Sequence, residues 1–559
     1  MVLQQLEEEK LTLPYKSLGE MYNKIFQKYS DRPMLSNLGT VFTYHDIDRL
    51  SSAFASFLIN ELHMKKGERI ALVMPNIIQL PIAIIGAIRA GIVVVNINPQ
   101  YTSREIHFIL LDAGVNTIVM VENFADRLSE IIDYTQIRHV ILTKIGDMLP
   151  QPKRFLVDLV NRLFFKGKPK YNLPNFYPFR RALSRGKKEG LDSVSVTPSD
   201  LAFLQYTGGT TGKPKGALLS HRNLLSNIEQ ILAEFSEILV PGQERILSAL
   251  PLYHVFALTV NLLLVSRIGA HARLITDPRK IASLVREIAS FKPTFITGVN
   301  TLFNALTHNR NFAGLDFSFI KYVVGGGCAV QKNVAERWNN ITGTFILEGY
   351  GMTECSPLVC VCAHDTKSYT GNIGKPVLWT KVRIVDNAGH DIIEKDVPGE
   401  LWISGPQVAG GYWNRDEDTR SSFQDGWFHS GDIGVWQDGG VIKLVDRKKD
   451  MILVSGFNVY PNEIEEVVSS HSKVVEAGAI GVKSVSSGEV VKVFVVRSDN
   501  SLTKEELQEY CYSKLAHYKV PKQIEFVSNL PKSNIGKILR TKLREIQAAE
   551  EEKRVHPTV

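Results

Sequence analysis

The sequence predicts a layered α/β protein with a large N-terminal domain, which ends in a β-rich subdomain, and a small α+β C-terminal domain. Between residues 69 and 324, short apolar runs alternate with helical patterns, which is typical of buried parallel strands. From about Lys381 the pattern changes to alternating, turn-rich β sequence, and from Asp450 to about Arg544 helical and strand patterns mix. The 559 residues, 44% apolar and 22% charged, exceed one simple core and exclude disordered, collagen-like and coiled-coil classes.

Helices and buried strands follow one another from the N-terminus. Apolar residues recur at helical spacing over 17–30, and further helices are predicted to end at Ala90 and to begin at Ser103. The predicted buried strands are residues 69–75, 91–99, 117–122, 202–206, 270–275, 294–297 and 322–324. The last residues, 548–559, are polar and are expected to fray.

No segment reads as a membrane span or a secretory signal. Residues 70–88 carry no charge, but polar and proline residues interrupt them, whereas a spanning helix needs about 20 predominantly apolar residues. Three glutamates stand near the N-terminus, where a signal peptide would carry basic residues. Five cysteines are too few for a disulfide scaffold and indicate a reducing compartment. Cys355, Cys360 and Cys362 lack partners at zinc-finger spacing and are expected to be buried apolar residues.

The positive charge of the chain is concentrated in one segment. Nine basic and no acidic residues lie between Arg162 and Lys188, and subtracting this +9 from the total of +7 leaves −2 for the rest. Six aromatic residues and three prolines, Pro169, Pro174 and Pro178, lie among these charges, and the prolines argue against a continuous helix. The segment fits contact with an anionic membrane and fits a solvated surface loop equally well. Nucleic acid is not expected, because no nucleic-acid-binding module accompanies the patch.

A glycine- and threonine-rich loop, YTGGTTGKPKG (206–216), follows the apolar run 201–204. Glycine lets backbone N–H groups converge on an anion, while hydroxyls and lysines add donors and positive charge. A Walker loop is excluded, because only three residues separate Gly208 from Gly212 and Pro214 follows the lysine. The candidate phosphate-binding residues are Thr207, Gly208, Gly209, Thr210, Thr211, Gly212, Lys213 and Lys215.

This loop resembles the phosphate loop of the AMP-forming adenylating enzymes, which include acyl-CoA synthetases, luciferases and peptide-synthetase adenylation domains. Further motifs of that superfamily follow in the same order over nearly the whole chain: PLYH (251–254), GGG (325–327), EGYGMTE (348–354), DGWFHSGD (425–432), VDRKKD (445–450) and PKSNIGK (531–537). The resemblance implies an adenylate-forming fold, with ATP as a substrate and Mg²⁺ as a cofactor.

The resemblance also implies a role for each matching residue. His254 would line the carboxylate pocket, although a lone histidine before an apolar run is ordinarily a core residue. Thr353 would contact the α-phosphate, Glu354 and Thr207 would hold Mg²⁺, and Lys537 would be the catalytic lysine, which bridges the carboxylate and the α-phosphate. The remaining ATP or AMP contacts would be Gly325, Gly326 and Gly327 as the adenine wall, Tyr350 stacked on adenine, Gly351, and Asp432 and Arg447 on the ribose.

The domain organisation implied by the resemblance is an N-terminal adenylate-forming domain over 1–446, a hinge at 447–449 and a mobile C-terminal domain over 450–559. Lys449 would be the hinge residue, and Gly456 would line the channel for coenzyme A. Motion about the hinge would withdraw Lys537 between the two steps of the reaction.

The expected function is that of a long-chain fatty-acid–CoA ligase, because 426–449 and the C-terminal motifs resemble bacterial enzymes of that class. ATP, coenzyme A and a long-chain fatty acid would be the substrates. A medium-chain or aryl-acid ligase, and a non-catalytic nucleotide or lipid-binding scaffold, are the alternatives. We expect a cytoplasmic protein, peripheral on the cytoplasmic face of a membrane, and leave open both a homodimer and the acyl chain length.

Overall fold

The computed structural model describes residues 12–164, 171–173, 175–189, 194–207, 214–484, 488–533 and 536–555. Four β-sheets organise these residues. Three belong to a large N-terminal domain and the fourth to a small C-terminal domain, so the predicted mixed α/β fold class is confirmed.

The strands are numbered in chain order. They are β1 (Pro33–Asn37), β2 (Thr40–Thr43), β3 (Arg69–Val73), β4 (Val93–Asn96), β5 (Thr117–Val121), β6 (His139–Thr143), β7 (Phe176–Pro178), β8 (Leu201–Thr207), β9 (Lys215–Ser220), β10 (Arg245–Ser248), β11 (His271–Leu274), β12 (Phe295–Gly298), β13 (Tyr322–Gly325), β14 (Ile346–Gly351), β15 (Leu358–Val361), β16 (Lys375–Pro376), β17 (Lys381–Val385), β18 (Gly399–Ser404), β19 (Phe423–Gln424), β20 (Trp427–Gln437), β21 (Val441–Arg447), β22 (Ile452–Val454), β23 (Phe457–Val459), β24 (Val474–Ser484), β25 (Gly488–Arg497) and β26 (Gln523–Phe526).

The α-helices are numbered in the same way. They are α1 (Leu18–Tyr29), α2 (Tyr44–Ser56), α3 (Gln79–Arg89), α4 (Ser103–Asp112), α5 (Ala125–Ser129), α6 (Lys153–Phe164), α7 (Phe179–Glu189), α8 (His221–Glu234), α9 (Val255–Ala257), α10 (Val265–Arg267), α11 (Ile281–Phe291), α12 (Asn300–Thr307), α13 (Arg310–Ala313), α14 (Lys332–Thr342), α15 (Asp416–Ser422), α16 (Pro461–Ser469), α17 (Lys504–Tyr512) and α18 (Arg540–Val555).

Two large, mainly parallel sheets form the body of the N-terminal domain. One has the strand order β7-β6-β5-β3-β4-β8-β9, and the other has the order β16-β15-β14-β13-β12-β10-β11-β1-β2. A shared apolar core unites helices α1, α2, α3 and α8 with strands of both sheets. The apolar runs predicted as buried strands form β3, β4, β5, β8, β11, β12 and β13, which confirms the predicted layering.

The β-rich part and the C-terminal part are also confirmed. Strands β17, β18, β19, β20 and β21 form an antiparallel sheet. Strands β22 to β26 form the C-terminal sheet, in which β24 and β25 pair over most of their length and α16 and α17 contribute to the core. Strand β21, the last strand of the N-terminal domain, leads directly into the C-terminal domain. Any movement between the two domains is therefore concentrated in a short connection.

Local sequence signals explain where several helices begin. The side chain of Ser17 accepts a hydrogen bond from the backbone of Glu20 at the start of α1. Thr102 and Glu105 form a reciprocal capping box at the start of α4. Both features satisfy backbone N–H groups that the first helical turn leaves unpaired.

The basic segment differs from the irregular excursion that its composition predicts. Within its described residues the chain forms β7 and then α7, and Pro178 directly precedes the first residue of α7. Proline is compatible with the beginning of a helix, where its missing N–H is not needed. Pro178 therefore marks the start of α7, whereas Pro169 and Pro174 lie outside the described residues, together with the rest of 165–170 and 190–193.

The C-terminal end also differs from the prediction, because α18 extends to Val555 through residues expected to fray. Alanine, glutamate, lysine and arginine are strong helix formers. The buried ammonium of Lys492 on β25 donates a hydrogen bond to Gln547 and pairs with Glu550, which holds this helix against the sheet.

Cysteine burial follows the prediction. Cys355, Cys360 and Cys362 are buried free thiols, and burial raises the pKa of each. Within the described ranges, no helix combines the length and the apolar character that a bilayer crossing requires.

Gly186 provides a test of how α7 packs on α2. A methyl group at this position would overlap the carbonyl oxygen of Ala53, so Gly186→Ala should destabilise the fold by about 1–3 kcal/mol. In a helix without such a contact, the same change stabilises by about 1 kcal/mol. Ser184→Ala, at an exposed position of the same helix, is the control and should not destabilise. Urea unfolding midpoints measure both; a midpoint for Gly186→Ala at or above that of the unchanged protein would contradict this packing.

Candidate active site

A cavity of about 1210 Å³ lies between the two domains. Residues at or just beyond the carboxyl ends of β4, β8, β12, β13 and β14 line one side of it, as expected for ligand sites of parallel sheets. Residues of β20, β21, α16 and the segment around Lys537 line the other side. Both domains therefore contribute side chains to a single space.

Tyr350, Asp432 and Arg447 form a connected group in this cavity. Asp432 and Arg447 are cross-strand neighbours on β20 and β21, and the Arg447 Nε lies 2.8 Å from Asp432 Oδ1. The hydroxyl of Tyr350 donates a hydrogen bond to the other carboxylate oxygen, at 2.7 Å. The Asp432 carboxylate raises the pKa of Arg447. A carboxylate held in this way can accept hydrogen bonds from paired hydroxyls, such as those of a ribose.

The last residue of β14, Gly351, has to be a glycine. A side chain at Gly351 would overlap the backbone carbonyl of Pro357, which lies directly against it. The backbone of Met352 donates a hydrogen bond to the same carbonyl at 3.0 Å. This close approach positions Thr353 and Glu354 at the cavity wall.

Tyr412 connects the carboxylate of Glu354 to a second charged group, the ion pair of Lys215 and Asp418. The Tyr412 hydroxyl donates a hydrogen bond to Glu354 Oε1 at 2.8 Å. The Lys215 ammonium lies 5.3 Å from the centre of the Tyr412 ring and 2.5 Å from Asp418 Oδ1. Burial raises the pKa of Glu354, and the Tyr412 hydrogen bond opposes that shift. The carboxylate therefore depends on a neighbouring donor or cation to remain ionised.

Strands β8 and β9, which flank the predicted phosphate loop, pair as an antiparallel hairpin. Thr207 pairs with Lys215 at the end of the two strands, and both line the cavity. The predicted phosphate-binding residues Gly208, Gly209, Thr210, Thr211, Gly212 and Lys213 lie outside the described residues. The described strands thus bring the two ends of the loop to the cavity.

His254 lies at the start of a buried helical stretch, where its ring Nδ1 accepts a hydrogen bond from the Phe256 backbone at 3.3 Å. Burial lowers the pKa of His254 to about 4, so the imidazole is neutral at pH 7. Helix α9, a π-helical segment at 258–264 and α10 continue from it into the core. The apolar residues at 255–265 therefore pack in the core, whereas Asn300 and Thr301 line the cavity beside His254.

Lys537 enters the cavity from the C-terminal domain. Its backbone N–H donates a hydrogen bond to Ser533 Oγ at 3.1 Å, and its carbonyl accepts one from Ser533 at 2.7 Å. Burial, followed by nearby Arg447, lowers the pKa of the Lys537 ammonium. No carboxylate among the described residues forms an ion pair with it. Its positive charge is therefore available to an anion in the cavity.

Arg540, one turn after Lys537, connects the two domains. Its guanidinium contacts Asp446 at 2.9 Å, Glu465 at 2.8 Å and Asp450 at 3.3 Å. Burial alone would lower the pKa of Arg540, but these three carboxylates raise it. Asp446 and Asp450 lie on either side of the predicted hinge residues 447–449, so Arg540 ties together both sides of that connection.

Lys449 lies between Asp446 and Asp450 in the sequence and also lines the cavity. Although Lys449 is exposed, partial desolvation by the surrounding protein, followed by the charges of Arg447 and Lys537, lowers its pKa to about 8. The connection between the domains therefore carries an ammonium group that loses its proton at a lower pH than an ordinary lysine does.

Glu348 is a buried carboxylate on β14. Its Oε2 accepts a hydrogen bond from the Val330 backbone at 3.1 Å, while its buried Oε1 has no hydrogen-bond partner. Burial raises the pKa of Glu348 to about 7. Among the described residues, this acceptor at the cavity wall has no hydrogen-bond partner.

The described part of the cavity brings together most residues that the sequence motifs single out. These are Thr207, Lys215, His254, Gly327, Tyr350, Gly351, Thr353, Glu354, Asp432, Arg447, Lys449 and Lys537. Gly325 and Gly326 lie behind the wall, where a side chain would come within 2.7 Å of Val330 or 3.1 Å of Phe256. Gly456 lies outside this cavity, in the turn between β22 and β23.

Motif matching did not identify Tyr412, Asp418, Arg540 and the carboxylates that bind Arg540. Tyr412 and Asp418 lie in GYWNRDED, which resembles a surface turn. Arg540 lies three residues after Lys537 in the GKILR run. This closeness to the predicted catalytic lysine is the only sequence feature that points to Arg540. Their partners are distant in sequence, so only the folded structure shows these contacts.

Comparisons with known proteins agree with the fold and with the motif order. The family described as "AMP-binding enzyme" matches residues 23–413, and "AMP-binding enzyme C-terminal domain" matches residues 463–537. A long-chain-fatty-acid–CoA ligase of Yersinia pestis is 52% identical over 531 residues, which cover 95% of this chain and 94% of the relative. One of Bacillus subtilis is 34% identical, covering 96% of this chain and 95% of the relative. The crystal structure of the anthranilate CoA ligase AuaEII with anthranoyl-AMP shares the fold, with a TM-score of 0.85 at 22% identity, covering 97% and 99% of the two chains.

The Tyr412–Glu354 hydrogen bond predicts a pH effect. Tyr412→Phe removes a donor that stabilises the ionised carboxylate, so the pKa of Glu354 should rise further. The acidic limb of the pH–activity profile should then move to higher pH by up to about one unit. Tyr369→Phe is the control, since it removes another hydroxyl hydrogen bond at the cavity, to the Val330 carbonyl, without touching Glu354. Equal acidic limbs in the Tyr412→Phe variant and the unchanged protein would contradict this role.

Proposed function

The chain belongs to the AMP-binding enzyme family, and from that membership we propose that it is an AMP-forming long-chain fatty-acid–CoA ligase. It activates a fatty acid with ATP and transfers the acyl group to coenzyme A. The observation that carries this proposal is the convergence of Lys537, Glu354 and the Asp432–Arg447 pair on one cavity between the two domains.

The first step joins the fatty acid to the nucleotide. An oxygen of the carboxylate attacks the α-phosphorus of ATP, the bond from that phosphorus to the β-phosphate oxygen breaks, and pyrophosphate leaves. Tyr350 would stack on the adenine, Asp432 and Arg447 would bind the ribose, and Thr353 would contact the α-phosphate. Gly327 would line the adenine wall, with Gly325 and Gly326 behind it, and Gly351 would be a further nucleotide contact.

Positive charge is the main requirement of this step, because a carboxylate and a triphosphate repel each other. Lys537 would bridge the carboxylate and the α-phosphate. Its ammonium has no carboxylate partner among the described residues, which supports this role. Lys215, with residues 207–213 of the loop, would bind the outer phosphates. Neutral His254 would line the acyl pocket without adding a competing cation.

Mg²⁺ is part of this proposal. Glu354 and Thr207 offer the hard oxygen ligands that Mg²⁺ prefers, and the ion usually takes only one or two carboxylates together with substrate phosphates. The described residues contain no cluster of three metal-ligating side chains, which is compatible with a site shared with ATP. When bound, Mg²⁺ would neutralise phosphate charge, while Tyr412 keeps the Glu354 carboxylate in place.

The second step transfers the acyl group. The thiolate of coenzyme A attacks the acyl carbonyl carbon, the bond from that carbon to the AMP oxygen breaks, and AMP leaves. We propose domain boundaries at 1–446 and 450–559, with a hinge at 447–449 centred on Lys449. Rotation there would withdraw Lys537 and bring Gly456 to the path of coenzyme A.

The names of the relatives support a long-chain fatty acid as the substrate. Relatives from several bacteria named long-chain-fatty-acid–CoA ligase cover nearly the whole chain, which supports a long-chain substrate. Each buried CH₂ contributes roughly 0.8 kcal/mol, so the depth of the apolar pocket selects chain length. We propose that the enzyme acts at the cytoplasmic face of a membrane and contacts anionic lipid through the region around 162–188. A homodimer is also left open.

Acid-dependent AMP release tests the proposed function. The protein is incubated with Mg·ATP and with octanoate, palmitate, oleate or benzoate, each with and without coenzyme A. We expect AMP release that requires both coenzyme A and a long-chain acid. Acyl-AMP formation without any use of coenzyme A would contradict the ligase and indicate an adenylate-only enzyme. AMP release that no acid stimulates would indicate a non-catalytic nucleotide site.

Lys537→Ala separates the two steps. Acyl-AMP formation should fall at least about 100-fold, since the cation that stabilises its transition state is lost. Thioester formation from supplied acyl-AMP should be retained. Lys532→Ala is the matched control, because Lys532 lies in the same segment but pairs with Glu476. Equal losses of both half-reactions in Lys537→Ala would refute the assigned role.

A further inference from the structure

Helix α6 presents a continuous apolar face to solvent. Phe155, Leu156, Leu159, Val160 and Leu163 are 63%, 54%, 43%, 49% and 72% exposed. Their spacing places them on one side of the helix. Of the sixteen large hydrophobic side chains that are exposed in the described ranges, five lie on this helix of 12 residues. Such a concentration marks an interaction surface.

The polar side of α6, by contrast, faces the protein. The Asp158 carboxylate and the Arg154 backbone carbonyl lie against Gly146, where a side chain would come within 2.7 and 3.1 Å of them. Arg154 also forms an ion pair with Asp147 at 3.9 Å. A surface helix normally buries its apolar stripe and exposes its polar one. The orientation of α6 is reversed, so its apolar face is available to a partner.

From the last turn of α6 to Lys188 on α7, every charged residue is basic. Nine basic and no acidic residues lie between positions 162 and 188. On α7 the buried Phe179 and Gly186 face α2, and Arg180, Arg181 and Lys187 are exposed. The one acidic residue of α6, Asp158, is on the side that faces the protein. The partner of this region therefore has to tolerate, or attract, a high density of positive charge.

We propose that α6 lies in the plane of an anionic membrane, with its five apolar side chains inserted at the boundary between headgroups and acyl chains. Short amphipathic helices with an apolar face and nearby lysine and arginine bind membranes in this way. Each basic residue near the surface adds roughly 1 kcal/mol of attraction to anionic lipid. A second copy of the chain is a poorer occupant, because it would bring the same positive segment against this one.

This inference deepens the proposed function and rests on it in one respect. A long-chain fatty acid partitions strongly into lipid, since each CH₂ removed from water contributes roughly 0.8 kcal/mol. An enzyme held on the membrane by α6 works where such a substrate is concentrated. The contact itself does not require catalysis, so binding and activity can be measured separately.

Vesicle co-sedimentation of the full-length protein tests the surface. Vesicles of phosphatidylcholine, with and without phosphatidylglycerol, are used at low and high salt. The unchanged protein should sediment with the anionic vesicles and be released by salt. Leu159→Asp combined with Leu163→Asp should weaken this binding at least about tenfold, because carboxylates would enter the boundary region.

Ile393→Asp combined with Val397→Asp is the matched control. These residues are 78% and 42% exposed, close to the values for Leu163 and Leu159, but they lie on the β-rich subdomain away from α6. The control should bind vesicles as the unchanged protein does. Both double variants should retain AMP release with palmitate and coenzyme A in the absence of vesicles, which confirms that they fold.

Three outcomes would overturn the inference. The first is that the unchanged protein does not bind anionic vesicles, and the second is that both double variants bind them equally. The third is that sizing shows a dimer that only the α6 double variant disrupts. The last outcome would assign the surface to a second copy. Vesicle binding without any acid-dependent AMP release would refute the proposed function and leave the membrane surface supported.

Discussion

The contact of Arg540 with carboxylates on both sides of residues 447–449 is the interaction on which the candidate site depends. It binds Asp446, which lies on β21 at the end of the N-terminal domain, together with Asp450 and Glu465 of the C-terminal domain. Arg540 is buried, and a buried guanidinium without partners would be costly. The arrangement of the domains that satisfies it is also the one that places Lys537 in the cavity.

The cavity combines satisfied and unsatisfied charges in a way that suits an anionic ligand. Asp432 is held by Arg447 and Tyr350, Glu354 by Tyr412, and Lys215 by Asp418. In the described part of the site, Lys537 has no such carboxylate partner, and burial lowers its pKa. An anion that binds there restores the favourable charged state of the lysine. Electrostatic attraction and alignment are thus supplied at the same place.

Much of the fold and the site could be predicted from sequence, for identifiable physical reasons. Parallel strands buried on both faces appear as apolar runs, so β3, β4 and β5 were predictable. The EGYGMTE motif and the two ends of the glycine-rich loop, Thr207 and Lys215, predicted residues that the fold brings to one cavity. The orientation of α6 was not predictable, because its pattern is the same whichever side faces water. Arg540 and Tyr412 were missed because their partners are distant along the chain.

A single-turnover measurement on Arg540→Gln tests the central claim most directly. Pyrophosphate release from Mg·ATP and palmitate reports the first step, and thioester formation from supplied palmitoyl-AMP and coenzyme A reports the second. If Arg540 holds Lys537 in the cavity, the first step should fall at least about tenfold while the second is spared, since a mispositioned cation loses most of its effect on the transition state. An unchanged first step, or equal losses in both steps, would contradict the account.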